Sequence, residues 1–359
     1  MKILAQDFTY DLPQELVANE PVSPRDHSNL MVVDRKTSEL CNKKFYNLPD
    51  LLSSNDVLVL NETKVFPARV YGKKTTGGRV ELLLLRPFSP TKWEVMSKPG
   101  LKKGQSIVFT KELKAEVIES SNDKGTAKII FNQIRNNLLK TLNSVGETPI
   151  PPYINPSQNR EDLKKSYQTV YAKDTGSSAA PTAGLHFTND LLFKLKKKGV
   201  EVIKITLHVG LGTFQKVRQD QIETGRLHCE FYEISEESAS ALNTAKNDGK
   251  RIIAVGTTSA RTLESAVKKT GDRWQIVAGE NKTELFIYPP YKLKFVDSLI
   301  TNFHLPNSSL LMLVSALVSK PNTNVEFTSF RESLIMKAYQ KAIEEKYRFY
   351  SFGDAMFIV

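Results

Sequence analysis

Three of the five histidines in this 359-residue sequence, His186, His208 and His304, stand in polar or glycine-bearing segments and not on apolar faces. Imidazole titrates near neutrality, so a fold that gathers such side chains acquires groups able to take up and return protons. His186 ends the run Pro181-Thr182-Ala183-Gly184-Leu185. His208 opens His208-Val209-Gly210-Leu211-Gly212-Thr213-Phe214, and His304 follows Thr301-Asn302-Phe303. Any one of them could equally be a structural imidazole bridging loop backbone; three in matching positions point to a shared site. A further cluster is His228-Cys229-Glu230. Alternate residues of a strand share a face, so His228 and Glu230 would form either a general-base pair or an edge-strand hydrogen-bonded pair. The two cysteines, Cys41 and Cys229, have no metal or redox spacing. No metal site and no disulfide framework is expected, which suits a reducing compartment.

The elements that must position these residues have two textures. From Val65 to about Phe131 the pattern predicts short strands at Ala68–Gly72, Arg79–Arg86, Trp93–Ser97, Ser106–Phe109, Ala115–Glu119 and Ala127–Phe131, separated by Gly- and Asn-rich turns. That spacing suggests a small barrel or sandwich. A short helix, Asn132–Leu142, and the Pro-rich stretch Thr148–Tyr153 close it. Beyond about Ser157 the texture becomes α/β. Thr188 reads as the N-cap of a helix over Asp190–Lys198, with a strand over Val200–Leu207. A strand over Lys250–Val255 leads through Gly256-Thr257-Thr258-Ser259 to a helix over Arg261–Lys269. A strand over Val296–Phe303 precedes a helix over Ser309–Val318, and a last helix, Phe330–Lys346, runs into a strand-like tail, Tyr347–Val359. In parallel α/β units strand C-termini and helix N-termini share one sheet edge. The three histidine loops and the Gly256 turn would then converge where such sheets bind ligands. Gly210-Leu211-Gly212 alone lacks the spacing of a dinucleotide fingerprint and reads as a tight turn.

Lys and Arg number 50 against 39 Asp and Glu, a formal charge of +11. The sequence pI is about 9.3 and the mean hydropathy −0.32. This balance favours a polyanionic partner, nucleic acid foremost. Arg25, Lys64, Arg69, Lys73, Lys74 and Arg79 concentrate positive charge near the β module; they form either a solvated face or an RNA-contacting patch. The N-terminal residues show no apolar secretory core, and the most apolar run, Leu310–Val318, is too short to cross a bilayer. A cytoplasmic protein with no membrane partner is expected.

Several longer runs carry a resemblance. They are Asn61-Glu62-Thr63-Lys64 with Pro67-Ala68-Arg69, Thr76-Gly77-Gly78 with Glu81–Leu84, and Tyr167–Ala172. Ala179–Phe187, Thr206–Phe214, Val255–Ser265, Leu299–Ala316 and Tyr347–Met356 follow in order. Over nearly its whole length the chain resembles the S-adenosylmethionine:tRNA ribosyltransferase-isomerase family of queuosine biosynthesis. It departs at Glu62 and Lys64, where the family often has Asp and Arg. It departs also at Gly225, where a histidine commonly stands three residues before the position of His228. The resemblance implies a discontinuous α/β domain, 1–64 with 153–359, carrying an inserted small β-barrel, 65–152. It also implies a reaction. The ribosyl part of S-adenosylmethionine passes to the aminomethyl group of 7-aminomethyl-7-deazaguanine in a tRNA anticodon, giving epoxyqueuosine-tRNA with loss of adenine and methionine.

That chemistry asks for a base to take a proton from the carbon beside the sulfonium, a neutral amine, and a proton or hydrogen bonds for departing adenine. The amine is itself the nucleophile, so no prosthetic group or metal is needed and S-adenosylmethionine is consumed as co-substrate. His186, His208, His304 and Glu230 form the candidate acid/base pool; a neutral or anionic base suits a cationic sulfonium. Gly210, Gly212, Gly256, Thr257, Thr258 and Arg261 are candidates for holding S-adenosylmethionine, its carboxylate lying at a helix N-terminus. Asn302 is the candidate for adenine, and Asp354 for ribose hydroxyls or the ammonium group unless it is a turn residue. Arg25, Lys64, Arg69, Lys73 and Arg79 are the candidates for tRNA. The protein is expected to be a monomer. Two other readings fit parts of the pattern: an S-adenosylmethionine-dependent RNA methyltransferase and a non-catalytic basic RNA-binding protein.

Overall fold

The computed structural model describes residues 3–122, 125–154, 160–210 and 215–359. Among these, nine strands form one sheet, in the order Gly279–Leu285, Arg226–Ile234, Glu201–His208, Asp56–Asn61, Arg251–Val255, Ser298–Asn302, Ala355–Ile358, Asn29–Val33 and Leu40–Lys44. The four from Glu201–His208 to Ser298–Asn302 run parallel. Asp56–Asn61, with sequence DVLVLN, is buried at every position. Val57 and Val59 pack into one apolar cluster with Leu263, Leu311 and Met312. Leu58 and Leu60 pack into another with Phe187, Leu191 and Leu195. Helices thus cover both faces, which is why this strand is continuously apolar and does not alternate.

The second unit is a closed antiparallel barrel of six strands, Thr126–Phe131, Lys92–Lys98, Arg79–Pro87, Arg69–Lys74, Ser106–Val108 and Lys114–Glu119. Here the period is two: Ala115 and Val117 point inward, while Lys114 and Glu116 face solvent. Helix Arg135–Val145 closes against it through Leu138 and Leu142. The barrel lies in sequence between Asp56–Asn61 and Glu201–His208, strands that pair directly in the sheet. The larger unit is therefore discontinuous, and the mixed α/β fold with a small barrel is the architecture observed.

Several elements differ in extent from the sequence expectation. The helix anticipated from Arg261 begins at Thr257 and ends at Ala266, followed by a strand, Val267–Thr270. Gly256 makes this possible, since its φ of +87° turns the chain into the helix at once. The last helix is Leu334–Glu344, capped by the Ser333 hydroxyl, which accepts from Met336 N–H. Of the strand-like tail, Ala355–Ile358 forms a strand of the sheet and Phe349 a single parallel bridge with Val17. No helix of the described residues is long and apolar enough to cross a membrane.

Candidate active site

The C-terminal ends of the parallel strands carry His208, Asn61, Val255 and Asn302 to one sheet edge. Antiparallel neighbours reverse direction, so Phe231 pairs with His208 and Ala355 with Asn302 at that same edge. There a cleft of about 960 Å³ opens between sheet and barrel. Its sheet wall includes His208, Gly210, His228 and Glu230; its barrel wall includes Arg86, Trp93, Glu94 and Met96, with Arg135 from the closing helix. The size suits a small-molecule substrate together with part of a second.

His208 is held from two sides. The Thr63 hydroxyl lies 2.8 Å from its Nδ1. Thr63 is fixed in turn by its N–H, which donates to Asn61 Oδ1 at 3.1 Å. Behind the ring, Gly176 leaves no room for a side chain: a Cβ there would sit 2.6 Å from Cε1 and 2.7 Å from Nε2. Burial, followed by the nearby Arg135 charge, lowers the His208 pKa from 6.5 to about 4, and Asp174 opposes them. Asp174 also lines the cleft and accepts from the Thr206 hydroxyl at 3.1 Å. His208 is thus a neutral imidazole at pH 7.

Glu230 is an anion in a nearly closed pocket. Its side chain is 1% exposed and 2.6 Å from the Arg261 guanidinium, itself 3% exposed. Burial on its own would raise this carboxyl. Arg261, then His228 and the Gly210 N–H at 3.1 Å, outweigh burial and hold it at about 2. Arg261 Nε also donates to the Leu285 carbonyl at 3.2 Å. Its guanidinium is therefore turned inward on Glu230. His228 Nε2 stands 3.4 Å from Glu230 Oε1, with 31% of the side chain exposed. The alternation along this strand thus brings His228 and Glu230 together on the cleft wall.

His186 and His304 belong to a more enclosed neighbourhood. Asn302 accepts from the Thr182 hydroxyl at 2.9 Å and donates to the Tyr350 carbonyl at 3.2 Å, which fixes its amide orientation. Its Nδ2 then faces His186 Nε2 at 3.2 Å as donor. The opposite nitrogen, Nδ1, carries the proton and meets Ser28 Oγ at 2.8 Å. Phe45 stacks on the ring at 4.9 Å. His304 Nε2 contacts the Thr301 hydroxyl at 2.7 Å, and its backbone N–H donates to the Tyr339 hydroxyl. Burial lowers both imidazoles to about 3, aided at His186 by Arg348 and Arg25. Gly256, Thr257, Thr258, Asn302 and His304 line a cavity of about 30 Å³, room for one water molecule. The histidine loops share an edge, but His208 alone of the three faces the large cleft.

The remaining expected residues divide. Asp354 accepts from the N–H groups of Asn29 and Arg348, both at 2.8 Å, and from Asn29 Nδ2 at 3.0 Å, the contacts of a turn residue. Gly212 lies outside the described residues. Arg25 donates to the carbonyls of Gln168, Lys165 and Ser166, in effect capping helix Arg160–Ser166. Lys64 is exposed on Thr63–Val65. Arg69 lies 3.3 Å from Glu81. Lys73, Lys74 and Arg79 line an open groove on the barrel with Lys98, Phe109 and Tyr71, which is 50% exposed. Aromatic faces among cations suit nucleotides. Thr63, Asp174, Gly176 and Arg135 join the site without any local signal in the sequence, because their contacts cross long stretches of chain. His228 has a usable signal in its two-residue spacing from Glu230. Among the described residues no group of three or more His, Cys, Asp or Glu is placed to hold a metal ion.

Residues 5–358 match the sequence pattern of the queuosine biosynthesis protein family. The chain is 49% identical over 358 residues to the S-adenosylmethionine:tRNA ribosyltransferase-isomerase of Caldanaerobacter subterraneus subsp. tengcongensis, covering 98% of this chain and 99% of that protein. It is also similar to the crystal structure of a Thermotoga maritima S-adenosylmethionine tRNA ribosyltransferase. The TM-score is 0.54 at 35% identity, over 98% of this chain and 100% of the other.

Proposed function

The chain belongs to the queuosine biosynthesis protein family, and on that footing we propose that it is an S-adenosylmethionine:tRNA ribosyltransferase-isomerase. It transfers and isomerises the ribosyl group of S-adenosylmethionine onto the aminomethyl group of 7-aminomethyl-7-deazaguanine in tRNA, forming epoxyqueuosine-tRNA and releasing adenine and methionine. The observation that carries this reading is the pairing of neutral His208 with anionic Glu230 in one cleft. A neutral imidazole does not repel a sulfonium as an imidazolium would, and Arg261 already matches the Glu230 charge, so these groups set no net positive charge against the substrate cation.

In this reading the sheet edge holds S-adenosylmethionine and the barrel groove with Lys73, Lys74 and Arg79 meets the phosphates of the tRNA. The unit 1–64 with 153–359 is the catalytic domain and 65–152 the inserted barrel. His208 serves the departing adenine or the incoming amine as a neutral hydrogen-bonding group. His186 and His304 shape the Asn302 side of the edge. The enzyme acts as a cytoplasmic monomer without a metal.

The test is product analysis after incubation with S-adenosylmethionine and tRNA carrying 7-aminomethyl-7-deazaguanine. Free adenine and methionine in equal amounts are expected. S-adenosylhomocysteine would replace this reading with methyl transfer, and no turnover with retained tRNA binding would replace it with a binding protein.

A further inference from the structure

We propose that His228 is the catalytic base that removes the proton from the carbon beside the sulfonium, with Glu230 and Arg261 as its positioning pair. This assignment rests on the functional reading above and deepens it. His228 and His208 are the two imidazoles on the wall of the large cleft. They differ in what lies behind them. His208 is backed by a neutral hydroxyl and sits near the Arg135 charge. His228 is backed by a carboxylate 3.4 Å from Nε2, and that carboxylate is locked in place by the Arg261 guanidinium and the Gly210 N–H.

A carboxylate behind one ring nitrogen selects the tautomer with its proton on that nitrogen. It also stabilises the imidazolium formed when the other nitrogen accepts a proton. In His228, Nε2 is buried on the Glu230 side and part of the ring is exposed; a proton on Nε2 would leave the lone pair on Nδ1. The 3.4 Å separation is an ion-pair approach, long for a hydrogen bond. In the step assigned to it, the C–H bond beside sulfur breaks and its electron pair stays on carbon, stabilised by the adjoining positive sulfur. The proton forms a new N–H bond at Nδ1. The resulting imidazolium lies against the Glu230 anion, which offsets its repulsion by the sulfonium. Glu230 itself is poorly suited to take the proton, because Arg261 holds it strongly ionised.

The experiment compares wild-type protein, His228→Gln and His228→Gly, using adenine release with S-adenosylmethionine and substrate tRNA. His228→Gln is expected to lower kcat by about 10²–10⁴-fold while KM for S-adenosylmethionine stays within about threefold. Added imidazole should restore part of the rate of His228→Gly and leave His228→Gln unchanged. Deuterium from D2O should enter the carbon beside sulfur with wild type and not with His228→Gln. Active wild type alongside a His228→Gln variant of similar kcat overturns the assignment alone, as does His228→Gly that imidazole does not rescue. Wild-type protein that releases no adenine overturns the functional reading and this assignment with it.

Discussion

Thr63 and His208, 145 residues apart in sequence, meet through a 2.8 Å approach of the threonine hydroxyl to imidazole Nδ1. Valine has nearly the shape of threonine without its hydroxyl. Thr63→Val therefore leaves a buried ring nitrogen without its partner, at a cost of about 1–3 kcal/mol. Turnover is expected to fall at least about fivefold, with a matching drop in the urea midpoint. Unchanged values for both would show that the hydroxyl neither holds the ring nor supports the reaction.

Gly176→Ala tests the same imidazole from behind. The added methyl would lie 2.6–2.8 Å from three ring atoms of His208. Either the ring or the strand Asp174–Ser177 must move, and overpacking of this kind costs about 1–3 kcal/mol. Adenine release should fall at least tenfold by steady-state assay, and thermal unfolding should shift downward. A variant with wild-type kcat would mean that His208 can be displaced without consequence.

Removing the charge of Glu230 has a larger structural effect than removing His208. Glu230→Gln strips a buried guanidinium of its counter-ion, and breaking a buried pair costs about 3–5 kcal/mol. His208→Ala exchanges a neutral, partly accessible ring for a small residue. Both are expected to slow turnover at least about tenfold, but only Glu230→Gln should markedly lower the denaturant midpoint. Equal stability for the two would contradict the ion pair as described.

Acid should destabilise the fold through its buried imidazoles. His186 and His304 are held to about 3 and His208 to about 4, against 6.5 for a free imidazole. Between those values the unfolded chain binds protons that the folded one refuses. Their contribution is complete above about pH 6.5 and declines as pH falls towards 4 and 3. Urea midpoints at pH 8, 6 and 5 should fall stepwise, already lower at the second than at the first and lower again at the third. His186→Asn should flatten that decline; a profile that keeps its slope in this variant would show that His186 does not contribute to it.

The barrel groove predicts a salt effect. Lys73→Ala and Arg79→Ala should weaken tRNA binding and make log affinity less steep against log salt, by up to about 0.9 for each phosphate no longer neutralised. KM for S-adenosylmethionine should stay the same. Filter binding across a low-to-moderate salt range distinguishes this from a solvated basic face, for which both slope and affinity would be unaltered.

Local chemistry makes much of this architecture readable. Thr188 caps the helix Asn189–Lys197 by accepting from Leu191 N–H, as its hydroxyl and position imply. The two-residue period of the barrel strands and the apolar runs of the central sheet also lie in short windows of sequence. Thr257, Thr258 and Ser259 read as loop because their intrinsic preferences are weak for helix. Burial of the whole first turn overrides that preference. The site is harder for a related reason. Asp354 looks like a free carboxylate until Asn29 is brought beside it, and Arg25 looks like surface charge until helix Arg160–Ser166 ends against it. Spacing locates the sheet edge; which imidazole opens into the cleft depends on packing across the whole chain.

The strand Ala355–Ile358 is wedged between Ser298–Asn302 and Asn29–Val33, and Asp354 at its head clasps Asn29 across 325 residues. The early hairpin of Asn29–Val33 and Leu40–Lys44 therefore gains its neighbour in the sheet only once that late segment has left the ribosome. At roughly 5–20 residues per second this is a wait of tens of seconds. The barrel, local in sequence, can close long before. During synthesis all six barrel strands are thus present while the sheet still lacks the strand that joins Ser298–Asn302 to Asn29–Val33.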